Sequence, residues 1–565
     1  MNIESFVWNI CDDVLRGLFK QHEYGDVILP FLVLRRLDCV QEGTKNEVIK
    51  LYEEFSASFD EPSEIIHTKL KIKFSNHSKY DLKRLISEPS KISENLYEYL
   101  RSFSPNVQDI IQNFGLQKHI DKLEENDSLF ILIQKFSEVN LHPSIIDNHE
   151  MGSIFEELLR KFSEISNETS GEHYTPRDIV NLLVSLVFTT EVNELSKPNK
   201  IVSLYDPCCG TGGMLTVGKD WIKNNIDQNV EVNMFGQELN PQTYSICKSD
   251  FLITNEQPEN IKLGSTLSKD GFSKDDRKFD YMICNPPYGV SWKKDEKFVK
   301  NESSEEDGRF NAGVPRIKDG QLLFLQHMIS KMEPNGSKIG VVFNASPMHV
   351  GDAGNGESEI RRWLIENDLL ETIVQMPDNM FFNTGITTYL WIITNKKVFN
   401  RKGKVQLIDA SKNFKVLRKK LGDKRKEISN DALNIVLKAY IGFEENELSK
   451  IFKNDHFKYT KVQIEQPELN NSGEQILRNG KVKPDKQLRD YERIPFKIPI
   501  EKYFENEVKP NLHDAWMDRT KDKVGYEINF VKEFFKYSPL RDALLINEDL
   551  KTIDNEIKEI LKELE

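Results

Sequence analysis

Asn285, Pro286, Pro287 and Tyr288 stand directly after the short apolar run FDYMIC, and their chemistry is that of a receptor for a planar amine. Two prolines at a strand end fix the backbone and remove two donors, leaving carbonyl oxygens that can only accept. Asn285 adds an amide oxygen. Tyr288 adds a ring that can stack on the planar group carrying an exocyclic NH₂. Taken alone, such a tetrad is also compatible with a rigid turn around a half-buried tyrosine.

Upstream, the run IVSLYD leads into Pro207, Cys208, Cys209, Gly210, Thr211, Gly212 and Gly213, then into a helical pattern through Met214, Leu215, Gly218 and Trp221. A strand, a tight glycine turn and a helix start bring backbone close to a ligand and point free N–H groups at it. Asp206 at the strand end suits a cationic or hydroxyl-bearing ligand. A phosphate-cradling loop would carry Lys and then Ser or Thr after its last glycine, whereas Met214 and Leu215 follow here. Nucleoside triphosphate binding, and with it a helicase or translocase role, is disfavoured. A second apolar run ends in Gly236, Gln237 and Glu238, and an acid at a strand tip grips ribose hydroxyls. Before the first strand, GEHYTPRD puts Thr175, Pro176 and Asp178 at the N-cap, first and third positions of a helix whose free end can hold a carboxylate.

These groups need a scaffold, and 565 residues at about 150 per domain supply three or four folded units. Residues 1–150 repeat apolar positions at three and four, as in Trp8, Cys11, Val14, Leu15 and Leu18, and predict an all-helical domain. Across 151–410, runs such as IVSLYD, KIGVVFN, ETIVQM and TYLWIIT alternate with helical stretches, which predicts an α/β domain with a mostly parallel sheet flanked by helices. Residues 411–540 form a polar extension rich in Lys and Glu. Residues 541–565 predict a helix whose Ile546, Leu550, Ile553, Ile557, Ile560 and Leu564 keep a four-three alternation suited to a partner helix or to this chain's own body.

Composition constrains the partners. Seventy-seven Lys and Arg against 90 Asp and Glu leave a net charge of −13, so the surface as a whole repels phosphate. Contact with nucleic acid then requires a local basic patch or a partner that supplies one. KVLRKKLGDKRK, from Lys415 to Lys426, is the clearest such patch, and the polar stretch 293–320 after the tetrad is expected to be a mobile loop closing over the substrate. The six cysteines lack the two-residue gaps of a zinc site, and no metal is expected. Their scatter suits a reduced compartment. The N-terminus has no export signal and no window reaches the ~18 apolar residues of a membrane helix, so a soluble cytoplasmic protein is expected.

The order GEHYTPRD, DPCCGTGG, GQEL, NPPY, then NMFFNTGITT and LHDAWMDRTKDKVGYEINF, resembles the amino-group DNA methyltransferases that use S-adenosylmethionine. Within them it resembles the modification subunit of type I restriction-modification systems, over nearly the whole chain. The resemblance implies a Rossmann-like fold between a helical N-terminal domain and a helical C-terminal region. It implies that Glu172, His173, Tyr174, Thr175, Pro176 and Arg177 surround the methionine end of the cofactor, that Asp206, Gly210, Thr211, Gly212 and Gly213 line its amino acid and sulfonium side, and that Glu238 takes its ribose. Asn285, Pro286 and Tyr288 would hold the target adenine's N6, with Pro287 completing the elbow and Phe381 as the second stacking aromatic. The chain departs from the family at Ser265, which stands where an acid often meets the cofactor's adenine, a change expected to act on affinity.

The implied activity is methyl transfer to N6 of an adenine flipped out of duplex DNA, without a covalent enzyme intermediate. No sequence-reading module stands out, so target choice is expected to fall to a separate specificity subunit flanked by two copies of this chain, with an optional motor nuclease subunit, in a bacterial or archaeal cytoplasm. Methylation of a glutamine in a protein and a catalytically silent cofactor-binding scaffold are the alternatives.

Overall fold

A computed structural model describes residues 3–166, 175–274, 276–536 and 542–563. Helices fill the chain up to residue 166. Their centre is α1 (Tyr24–Gln41), apolar nearly all round and buried nearly all round, as a helix without a polar face must be. Two arginines go inside with it. Arg35 pairs with Asp38 at 2.8 Å and donates to the Val139 carbonyl, while Arg36 donates to the carbonyls of Leu141 and Ile146 and to Asn148 Oδ1 at 2.6 Å. The Arg36 fork thereby fastens the start of α2 (Asn148–Ser166) to the helical core.

The α/β part begins with α3 (Arg177–Phe188), β1 (Ile201–Asp206), α4 (Gly213–Asn225), β2 (Glu231–Glu238), α5 (Pro241–Ile253), β3 (Ile261–Leu263) and β4 (Tyr281–Cys284). It continues with α6 (Glu296–Glu302), α7 (Gln321–Ser330), β5 (Lys338–Phe343), β6 (Leu370–Gln375), β7 (Tyr389–Thr394), β8 (Lys404–Asp409), the hairpin β9 (Lys415–Leu421) and β10 (Lys424–Glu427), α8 (Asn430–Gly442) and β11 (Ser449–Lys453). Nine strands form one sheet in the order β11-β8-β6-β7-β5-β4-β1-β2-β3. Most pairs are parallel; β7 runs antiparallel between β5 and β6, and β11 antiparallel at the edge. The order reverses between β1 and β4, so a crevice opens at their carboxyl ends, where ligands of open α/β sheets lie. The helical core runs into this part through Ile246 and Leu252 of α5. Asp109 accepts from Tyr244 Oη at 2.9 Å and Lys248 Nζ at 2.6 Å across the same contact.

Three features differ from the sequence expectation. The main sheet does not stop at 410: β11 joins it, and Ile428, Ala432, Val436 and Tyr440 enter its core, apolar positions diluted among Lys and Glu. Ahead of the terminal helix, strands Lys458–Glu465, Asp490–Pro495 and Trp516–Tyr526 form a three-stranded antiparallel sheet, an addition to the helical C-terminal region. The stretch 293–320 is not a mobile loop. It holds α6, and Val299 and Phe310 pack with Leu267, Trp292 and Leu323, while Arg309 donates to the carbonyls of Thr266 and Leu267 at 2.8 and 3.0 Å. A few apolar residues docked on neighbours outweigh the polar composition.

Residues from Ile528 onward are a separate unit containing the helix Ala543–Glu563. Ile546, Leu550, Ile553 and Ile557 are exposed there at their four-three spacing, while the side chains of Ile560 and Leu564 lie outside the described residues. Among the described residues no helix is long and apolar enough to cross a membrane.

Candidate active site

The crevice at the β1/β4 reversal collects the predicted motifs. β1 ends at buried Asp206, and Gly210 and Gly212 take φ of +54° and +86°, left-handed values that bend the chain into α4. A Cβ on Gly212 would stand 2.8 Å from Cys247 Sγ, and one on Gly213 would stand 2.3 Å from Glu156 Oε1, so neither position tolerates a side chain without displacement. Burial, with the nearby Glu238 charge adding to it against a hydrogen bond from the Cys208 N–H, holds the Asp206 carboxyl up at about 7. Glu238 is buried at the tip of β2 and accepts from the N–H of Gly210 at 2.8 Å and of Asn240 at 2.7 Å. The second-strand acid and the glycine turn are therefore one hydrogen-bonded unit.

One cleft is lined by Thr175, Arg177, Asp206, Gly210, Thr211, Gly213 and Asn285 together. Asn285 Nδ2 donates to Thr175 Oγ1 at 2.8 Å, and Tyr288 Oη donates to Asn285 Oδ1. The Tyr288 ring stands edge-on to Phe381, centroids 6.2 Å apart at 87°. Asn285 thus shares a cleft with the glycine turn, while Pro287 lines the neighbouring cavity. Cys208 lines this cleft and also its neighbour, a cavity of about 690 Å³ bounded by Glu238, Ser265, Pro287, Trp292 and Asp295. Gly212 and Pro176 are instead the N-cap residues of α4 and α3. The helix expected to be capped by Thr175 begins one residue later: Pro176 is its cap, and Asp178 turns away to accept from Lys424 Nζ and the Ile428 N–H at 2.9 Å. Glu172, His173 and Tyr174 lie outside the described residues.

Glu156 carries no motif and escaped the sequence reading. It sits on α2 and lines the cleft, its Oε1 accepting from Arg177 Nη2 at 3.2 Å. Burial, opposed by Arg177, raises its carboxyl to about 7. Among the described residues its Oε2 and Arg177 Nε are buried without a hydrogen-bond partner, an acceptor and a donor beside the turn. An amino acid's ammonium and carboxylate would satisfy that pair. Asp206, Cys208 and Cys284 bring ligating atoms within 4.8 Å of one another; contact with Cys284 and then burial push the Cys208 thiol up, while burial, against the contact with Cys208, holds Cys284 up at about 11.

The basic run Lys415–Lys426 is the β9–β10 hairpin. Its turn is bound to the segment around Phe381, with Asp423 N donating to the Phe382 carbonyl and Arg425 N to that of Asn379 at 2.9 Å. Arg418, Lys419 and Lys420 are exposed, while Lys424 is buried in its pair with Asp178.

Comparison with known proteins agrees with this geometry. Residues 146–474 match the N-6 DNA methylase family and residues 3–136 the HsdM N-terminal domain. The type I restriction enzyme MjaIX methylase subunit of Methanocaldococcus jannaschii is 27% identical over 545 residues, 92% of this chain and 90% of that one. The HindI methylase subunit of Haemophilus influenzae is 30% identical over 263 residues, 46% of this chain and 54% of that one. The type I restriction-modification methyltransferase subunit of Streptococcus thermophilus has the same fold, with a TM-score of 0.61 at 21% identity over 80% of this chain and 96% of that one. With the glycine turn, the buried acid at the β2 tip and the Asn-Pro-Pro-Tyr elbow gathered at the β1/β4 reversal, this chain belongs to the N-6 DNA methylase family, on its type I restriction-modification branch.

Proposed function

We propose that this chain methylates N6 of an adenine flipped out of duplex DNA, as a modification subunit whose target sequence is chosen by a separate specificity subunit. The observation that carries the reading is the sharing of one cleft by Asn285, Asp206 and the glycine turn. S-adenosylmethionine, when bound, supplies the methyl group. Glu156 and Arg177 would hold its ammonium and carboxylate, Glu238 its ribose, and Gly213 leaves the room these contacts need.

Adenine N6 is a poor nucleophile because its lone pair is delocalised into the ring. Asn285 Oδ1 and the Pro286 carbonyl accept its two hydrogens, favour a pyramidal nitrogen and stabilise the positive charge that develops on it. Tyr288 stacks on the base, and Phe381 backs that ring. Positioning supplies most of the acceleration, and an unpaired base is a precondition because N6 lies inside a duplex. The division into a helical domain, a catalytic domain, a C-terminal extension and a partner-binding helix belongs to the same reading, with the catalytic sheet extended to 453. So do assembly of two copies on one specificity subunit, an optional nuclease partner, and the cytoplasm as its place.

Methyl transfer to duplex DNA, measured with labelled cofactor on the chain co-expressed with its specificity partner, tests this. Asn285→Ala should lower transfer by about 10²–10³ while S-adenosylhomocysteine binding stays within about threefold. Transfer to a protein glutamine in place of DNA, or undiminished transfer by Asn285→Ala, overturns the assignment.

A further inference from the structure

The sheet order lays a ruler across the crevice. Neighbouring strands stand about 4.8 Å apart, so the tips of β4, β1, β2 and β3 present in sequence Asn285, Asp206 with its glycine turn, Glu238, and then whatever follows β3. A cofactor with its reactive end at β1 and its ribose at β2 must lay its base at the tip of β3. That tip offers Ser265, in a cavity of about 690 Å³ whose Leu267, Trp292 and Phe324 walls suit a flat ring. A serine hydroxyl is a weak acceptor for an exocyclic amine, and here its proton is already committed: Ser265 Oγ donates to Asp295 Oδ1 at 3.0 Å.

Asp295 arrives from another part of the chain. It is the N-cap residue of α6, in the segment expected to be a mobile loop, yet its side chain makes no capping bond. An aspartate at that position ordinarily accepts from the first-turn N–H groups. This carboxylate reaches across to the β3 tip instead, where the hydroxyls of Ser265 and Ser268 converge on the same oxygen, Oδ1. Oδ2 has no hydrogen-bond partner among the described residues, and Asp295 lines the cavity. The segment carrying it is anchored by Arg309 and the small core beneath, so the carboxylate is held in place before any ligand arrives.

We propose that Asp295 recognises the 6-amino group of the cofactor's adenine, Oδ2 accepting one of its hydrogens while Ser265 and Ser268 hold the carboxylate through Oδ1. This rests on the cofactor reading above and goes beyond it by naming the group that distinguishes a 6-amino from a 6-oxo purine. The segment 293–320 thereby becomes the base-reading wall of the cofactor site.

Calorimetric titration of the full chain with S-adenosylhomocysteine and S-inosylhomocysteine tests the assignment. The unsubstituted protein should prefer the 6-amino ligand by tenfold or more, on the order of one charge-assisted hydrogen bond. Asp295→Asn, whose amide can also donate to a 6-oxo group, should shrink the preference to about threefold or less. Asp295→Ser combined with Ser265→Asp, which moves the acid onto the β3 tip, should restore it. An unchanged preference in Asp295→Asn overturns the proposal alone. Failure of the unsubstituted protein to bind either ligand overturns the cofactor reading and this proposal with it.

Discussion

At the scale of single residues, the site depends on which polar groups are satisfied and which are open. Asn285 Oδ1 already accepts from Tyr288, so an incoming amine exchanges one hydrogen bond for another and releases the ring to stack. Glu156 leaves Oε2 open and its carboxyl sits at about 7. Only the ionised form attracts an ammonium, so cofactor affinity should rise with pH between about 6 and 8 and level off above. Glu156→Gln should bind more weakly and lessen that rise, leaving the share of Asp206, held at about 7 in the same cleft; an undiminished rise in the variant, followed by calorimetry across the range, would remove Glu156 from the pocket. The Asn-Pro-Pro-Tyr elbow was legible because its chemistry is local to four residues. Glu156 and Asp295 were not, because their roles exist only where α2 meets Gly213 and where α6 meets the β3 tip.

At the scale of elements, the strands were legible where a short apolar run had clear ends: IVSLYD is β1 residue for residue. Their directions were hidden. A run buried on both faces carries no mark of parallel or antiparallel pairing, so the insertion of β7 between β5 and β6 could not be read from TYLWIIT. Strand β11 hid for a different reason: it follows a stretch whose core residues, Ile428, Ala432, Val436 and Tyr440, are spread among charged ones. The β9–β10 hairpin shows charge and structure together. Lys424, next to its turn, is consumed by Asp178, leaving the exposed Arg418, Lys419 and Lys420 to meet phosphate. Replacing these three by alanine should weaken DNA binding uniformly across sequences and reduce the slope of log affinity against log salt by roughly 0.9 for each phosphate no longer neutralised. A salt titration by fluorescence anisotropy that leaves the slope unchanged would return the hairpin to solvent.

At the scale of the whole molecule, the acidic total places the burden of DNA contact on local patches and on a partner. The terminal unit, with Ile546, Leu550, Ile553 and Ile557 exposed at heptad spacing, is the surface proposed to meet that partner. Deletion of residues 541–565 should abolish co-purification with the specificity subunit and leave S-adenosylhomocysteine binding intact; retained co-purification refutes the docking role. The Arg36 fork has its own consequence. It ties the helical core to the start of α2, and α2 delivers Glu156 against Gly213, so the helical core braces one wall of the cleft at the glycine turn. A partner that gripped the helical core and shifted α2 would change the affinity of the cleft for whatever Glu156 holds, and reciprocity would require that ligand to change the grip by an equal factor.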